Sequence, residues 1–268
     1  MCGAVNQSPR SVTGRALSVL GTFDVGHVAL TLSEISRRSG LPLATTHRLV
    51  AELVTWGALV RTDGVYQIGH RIWSLGLLAP VHRGLNEVAR PYMQDVLQVT
   101  KNVVNLFTLD GGSALLLERL GGTDVGQAVL RVGERMSAHA CAGGKVLLAY
   151  AEDEEIVSRA LDQPRRYTPQ TEVEPARLRR ELATVRRRGY ATTSGEAAVG
   201  TSGVAIPVTG ADRRVVAALG VVVMGHAVNP GAIVPVLQVA ARGITRQLRH
   251  SVDVPRDLPG GGISPTVG

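Results

Sequence analysis

The chain has 268 residues with 44% hydrophobic and 19% charged side chains, an ordinary globular balance over a length that suits two domains better than one small module. No apolar run approaches the ~20 residues of a membrane helix, and the N-terminal MCGAVNQSPRSVTG has no apolar stretch of the kind an export signal needs. The net charge of +7 and pI of about 10.1 are compatible with nucleic acid, although a biased Arg content explains them equally well: residues 1–85 carry eight Arg against four acids, and only Lys101 and Lys145 are lysines. Two cysteines, Cys2 and Cys141, make neither a disulfide framework nor a structural zinc site. A reducing cytoplasm is the expected compartment.

Residues 1–10 are expected to be a disordered leader. Arg15, Ala16, Leu17, Val19, Leu20 and Phe23 give a helical stripe that Gly26 stops. A second helix starts at Thr31 or Ser33, with Leu32, Ile35 and Ser39 on one face, and Gly40 ends it as a residue able to take positive φ. Pro42 suits the first turn of a third helix. There Thr46, Leu49, Val50 and Leu53 share one face, and Ala44, Arg48 and Ala51 share the other, flanked by Thr45, His47 and Glu52. ALVRT, an Asp63-Gly64 turn and VYQIG then make a hairpin. Helix, turn, helix and hairpin over residues 11–68 is the layout of a winged helix-turn-helix, which sets one helix into a DNA major groove.

Residues 69–85 read as a linker helix broken at Pro80, and a longer helix follows from Leu85 to Thr100. VVNLFTL (103–109), an Asp110-Gly111-Gly112 turn and ALLLERL (114–120) form a second hairpin. QAVLRVG (127–133) is expected to be a third strand. GGKVLLAYA (143–151) is helical, and so is EPARLRRELATVRRRG (174–189). Strands at 203–210 and 215–225 precede a last helix over 231–250, and the Pro/Gly-rich tail 251–268 is expected to be disordered. Residues 86–250 thus mix strands and helices without strict alternation, which points to α+β with an antiparallel sheet.

Base readout needs donors and acceptors at the start of a groove-bound helix. Thr45, Thr46, His47 and Arg48 supply them, beside Ala44, with Ser33 at the start of the preceding helix. Arg48 is suited to a guanine edge or a phosphate. Thr46 is expected to pack or to touch phosphate, and Arg61 on the wing to meet phosphate or the minor groove. Arg37 and Arg38 are candidates for backbone contact, or are simply solvated.

Three features elsewhere imitate catalysis. GGKV (143–146) lacks the first glycine of a phosphate loop, since His139 stands there, and Val follows its lysine. Cys141 near His139 has no orienting carboxylate. No His, Cys, Asp or Glu cluster has metal spacing. Neither an enzyme nor a cofactor is expected. AHACAGGK does place free backbone N–H groups at a helix start, an arrangement that suits a carboxylate, or merely close packing at the glycines.

RALSVLGTF, LSEISRRSGLPLATTHRLVAELVTWG and YQIGHRIWSLG, followed by VGERMSAHACAGGKVLLA and RRGYATTSGEAAVGTSGVAIPV, resemble the IclR family of bacterial transcriptional regulators. The resemblance covers residues 12–250. It implies a GAF-like effector-binding domain behind the winged helix, and dimers or tetramers on palindromic double-stranded DNA. It also implies that Ala142 and Gly143 line an effector pocket, with Ala128, Met136, Thr193, Gly203, Gly220 and Val222 around it. Where carboxylate-binding members use polar side chains, Gly203, Gly220 and Val222 leave a roomier, more apolar space. A carboxylate with an apolar body is therefore expected, and a bulky residue at Gly220 is expected to fill that space. The leading reading is a ligand-responsive regulator, by default a repressor. The other readings are an architectural DNA binder and a GAF-like enzyme relic.

Overall fold

The computed structural model describes residues 11–24, 26–76, 84–121, 130–225 and 227–252, so the leader, Pro80, Ala128 and the tail from 253 lie outside the described residues. The chain divides into two compact units, residues 1–83 and 84–268.

In the first unit, α1 (Val12–Leu20), β1 (Ala29–Leu30), α2 (Leu32–Ser39) and α3 (Leu43–Trp56) precede a hairpin of β2 (Leu59–Thr62) and β3 (Val65–Ile68), and α4 (His70–Gly76) follows. Thr31 caps α2 through a reciprocal box: its hydroxyl accepts from the Glu34 N–H, and the Glu34 carboxylate accepts from the Thr31 N–H. Gly40 stops α2 at φ 69, a left-handed turn that a Cβ would oppose. Asp63 and Gly64 both have positive φ, as a two-residue hairpin turn matched to strand twist requires. The helix–turn–helix and the wing lie where the hydrophobic spacing puts them. The short β1, which pairs with β3, is an addition to that reading. The core is Val19, Leu30, Ile35, Leu41, Leu49, Val50, Leu59 and Tyr66.

The second unit has one six-stranded antiparallel sheet. Its strands are β4 (Val103–Asp110), β5 (Ser113–Leu120), β6 (Arg135–Ser137), β7 (Ala191–Ser194), β8 (Thr201–Thr209) and β9 (Val215–Met224), in the order β6-β5-β4-β9-β8-β7. The side-chain period of two gives each strand two faces. Val104, Leu106, Val204, Ile206, Leu219 and Val221 pack on α5 (Leu85–Thr100) and α9 (Pro230–Val252). Phe107, Ala205 and Ala218 face the other layer, built from α6 (Ala142–Ala149), α7 (Glu154–Asp162) and α8 (Pro175–Arg188). The third strand departs from expectation. Residues 131–134 turn tightly, with Gly133 at φ 86 and the Glu134 carboxylate accepting from the Arg131 N–H; the strand begins only at Arg135, and residues 127–129 lie outside the described part. No helix among the described residues is long and apolar enough to cross a membrane.

Candidate functional site

In the first unit, α3 presents Ala44, His47 and Arg48 to solvent with Thr45 half-buried beside them, while Leu49 and Val50 anchor the opposite face. Of the two roles expected for Thr46, packing or phosphate contact, the structure shows packing and not a DNA contact. Thr46 is fully buried, and its hydroxyl donates to Pro42 O at 3.1 Å, which leaves it no donor for a phosphate; it locks the first turn of α3 instead. Ser33 is exposed one residue into α2. Arg61 is exposed on the wing, its guanidinium 5.7 Å from the Tyr66 ring. Arg37 is exposed too, whereas Arg38 is committed: it donates to Thr22 O and pairs with Asp24 at 2.6 Å, bracing α2 against the loop before β1.

In the second unit a cavity of about 80 Å³ lies between α6 and the sheet. That is room for several water-sized groups. Met136, Ala142, Gly143, Thr193, Gly203, Gly220 and Val222 all line it. Strand register explains their meeting. Val103, Val222, Gly203 and Thr193 form one row across β4, β9, β8 and β7, and Arg119, Asn105, Gly220 and Ala205 form the next across β5, β4, β9 and β8.

The wall is the start of α6, a helix whose eight residues are all buried. The Cys141 sulfur caps it by accepting from the Gly144 N–H. The first N–H groups of any helix lack intrahelical acceptors, and Ala142 and Gly143, at that end of α6, line the cavity. The glycines have a packing role as well. A Cβ on Gly143 would lie 2.5 Å from the Phe107 ring, and one on Gly144 would lie 2.2 Å from Ala138 O. Gly220 is likewise closed to substitution. Its Cβ would come within 2.9 Å of Val204 O and 3.0 Å of Ala205 Cβ, so a bulky residue there would force β8 from β9 rather than fill the cavity.

Four polar residues of the cavity lining escaped the sequence reading: Asn105, Arg119, Thr201 and Ser202. Asn105 is 4% exposed, and its Oδ1 has no hydrogen-bond partner. Arg119 donates to Leu130 O at 3.2 Å and, among the described residues, pairs with no carboxylate; burial pulls its pKa down. The available signal was a polar residue at the centre of the apolar run VVNLFTL.

Cys141 and His139 do not form a nucleophile and base. Burial pushes the Cys141 thiol up to about 11, and His139 Nε2 bonds to Arg165 O at 3.0 Å. Lys145, 1% exposed, bonds at 2.8 Å to both Glu196 and Glu181, so it is a structural ion pair and not a phosphate ligand.

A helix-turn-helix and wing, joined in one chain to a domain with a mostly apolar cavity between α6 and the sheet, define a ligand-responsive transcription factor. The chain belongs to the IclR family of bacterial transcriptional regulators: residues 12–63 match the IclR helix-turn-helix domain and residues 79–246 the IclR C-terminal domain. It is 31% identical to the HTH-type transcriptional regulator XynR of Escherichia coli, covering 76% of this chain and 82% of that one. It is 28% identical to the transcriptional repressor IclR of Escherichia coli, over 69% of this chain and 70% of that one. Among solved structures, an IclR homologue from Microbacterium hydrocarbonoxydans complexed with 4-hydroxybenzoate superposes with a TM-score of 0.83, is 36% identical, and is matched over 90% of this chain and all of that one. These families and relatives are regulators, not enzymes.

Proposed function

We propose that this regulator is a cytoplasmic repressor. It binds a palindromic operator as a dimer or tetramer through Ser33, Ala44, Thr45, His47, Arg48 and Arg61, and it changes operator affinity when an acidic effector with an apolar body fills the cavity. The observation that carries the reading is convergence. Seven residues from β6, α6, β7, β8 and β9 meet around one space whose wall is a helix start and whose floor is mostly apolar. In this reading the Ala142 and Gly143 N–H groups and the Thr193 hydroxyl hold the acid group, and Met136 and Val222 flank the body. The Microbacterium homologue carries an aromatic acid, which is the same ligand chemistry. Repression follows the relatives named as repressors.

A thermal-shift screen of aromatic and aliphatic carboxylates, joined to operator-binding assays, tests this. A ligand that binds only the folded state raises its apparent stability. Aromatic acids are expected to raise the melting temperature and to alter operator affinity. A flat response to every carboxylate would remove the reading.

A further inference from the structure

We propose that Asn105 and Arg119 form a second polar pole of the cavity, one that selects effectors carrying a hydroxyl group remote from their acid group. The inference rests on the cavity being the effector site. It starts from Asn105, a buried amide whose Oδ1 has no hydrogen-bond partner. Such an atom costs stability, and a ligand that supplies a donor recovers the loss. Asn105 stands opposite Arg119 on one side and Gly220 on the other. Because Gly220 has no side chain, the β9 position directly opposite Asn105 does not cover the amide.

The two groups complement one functional class. The guanidinium only donates, and the amide oxygen only accepts. A hydroxyl does both and so satisfies the pair at once. An apolar end would leave both groups unmet.

The spacing sets where the hydroxyl must sit. Asn105 is on β4 and Thr193 on β7, three strand steps apart in the order β4-β9-β8-β7. At about 4.8 Å per step, and with Thr193 one row off Asn105, the backbones stand at least about 14 Å apart. An acid with its hydroxyl on the neighbouring carbon cannot touch both poles. A hydroxyl across a ring lies nearer that span.

The test is calorimetric titration of the full-length protein with three probes: 4-hydroxybenzoate, 2-hydroxybenzoate and benzoate. The wild type is expected to bind 4-hydroxybenzoate at least about tenfold tighter than benzoate, since a site built to hydrogen-bond a hydroxyl rejects the analogue lacking it. 2-Hydroxybenzoate should gain nothing over benzoate. In Asn105→Val the ratio should fall towards one by loss of 4-hydroxybenzoate affinity alone, while the unliganded melting temperature holds or rises because the unmet acceptor is gone. Opposite movement of stability and selectivity is a signature that a purely structural role does not give. Arg119→Met should also lower the ratio, and it serves as the independent variant should Asn105→Val fail to fold. Equal wild-type affinity for 4-hydroxybenzoate and benzoate, or an unchanged ratio in the folded variants, overturns the inference and leaves the cavity reading standing. If none of the three acids binds, the inference falls, and the cavity reading is decided by the wider carboxylate screen.

Discussion

Arg48 projects from the exposed face of a helix whose other face is pinned by Leu49 and Val50. Its removal therefore costs no packing, and a loss of DNA affinity reports contact alone. Arg48→Ala should weaken operator binding by about 1–3 kcal/mol and relax base preference, if the guanidinium forks onto a guanine. Arg61→Ala should weaken binding evenly across sequences and flatten its salt dependence. Gel-shift titrations over several operators and salt concentrations separate the two. A second residue-scale prediction concerns His139. Burial holds its pKa below the ordinary 6.5, assisted by nearby Lys145 and opposed by the bond to Arg165 O. The folded state thus binds a proton less readily than the unfolded chain. The stability this contributes is present above about pH 6.5 and is lost as pH falls below it towards the folded pKa. Urea midpoints of the wild type should therefore drop from about pH 7 to about pH 5 by more than those of His139→Gln, which keeps a donor for Arg165 O.

At the scale of elements, Lys145 ties three segments together, since its ammonium on α6 holds Glu181 on α8 and Glu196 in the loop after β7. Removing one partner of a buried pair strands the other charge. Lys145→Met should thus destabilise the second unit by about 3–5 kcal/mol, and adding Glu196→Gln should recover part of the loss. Desolvation already raises the Glu196 pKa against the pull of Lys145. Without Lys145 it rises further, so the variant's deficit should grow as pH rises through that value and shrink in acid; denaturation curves at several pH values check both points. Elements with a strong period or a capping residue were legible: α2 with Gly40, α3, both hairpins, and α8 with Gly189. Those that tertiary pairing alone creates were not. β1 has two residues and exists through β3, β7 exists through β8, and α7 buries only Val157 and Leu161 behind an Asp153 cap. The same limit explains the cavity. Its glycines and Thr193 were legible through family resemblance, whereas Asn105 and Arg119 become neighbours only in strand register.

For the whole molecule, α1 exposes Val12 and Leu17, and α4 exposes Trp73 and Leu75. Apolar area of this kind on a small DNA-binding unit is what a symmetric partner would cover. The protein is expected to sediment as a dimer or larger at micromolar concentration, and Leu17→Glu with Trp73→Glu to shift it towards monomer and remove its preference for a palindrome over a half-site. A monomeric wild type binding both equally would refute the proposal. Communication between cavity and operator has its own test. Val222 lines the cavity and is partly exposed, so Val222→Phe should occupy the space without parting β8 from β9. Ligand shifts DNA affinity only through unequal affinity for two states. The variant should therefore bind operator and ignore effector, holding one affinity whatever acid is added.

The start of α6 meets the cavity with peptide groups, and Phe107 and Ala138 leave no room for a Cβ at Gly143 or Gly144. What a peptide group offers does not change when a codon does. The glycine pair of the α6 wall is thus closed to mutational drift, while Asn105, Arg119 and Val222 on the floor can each be exchanged singly. Descendants of this chain can acquire new inducers by rewriting the floor, and a saturation library selected for altered inducer response should find its winners there and almost none at the glycine pair.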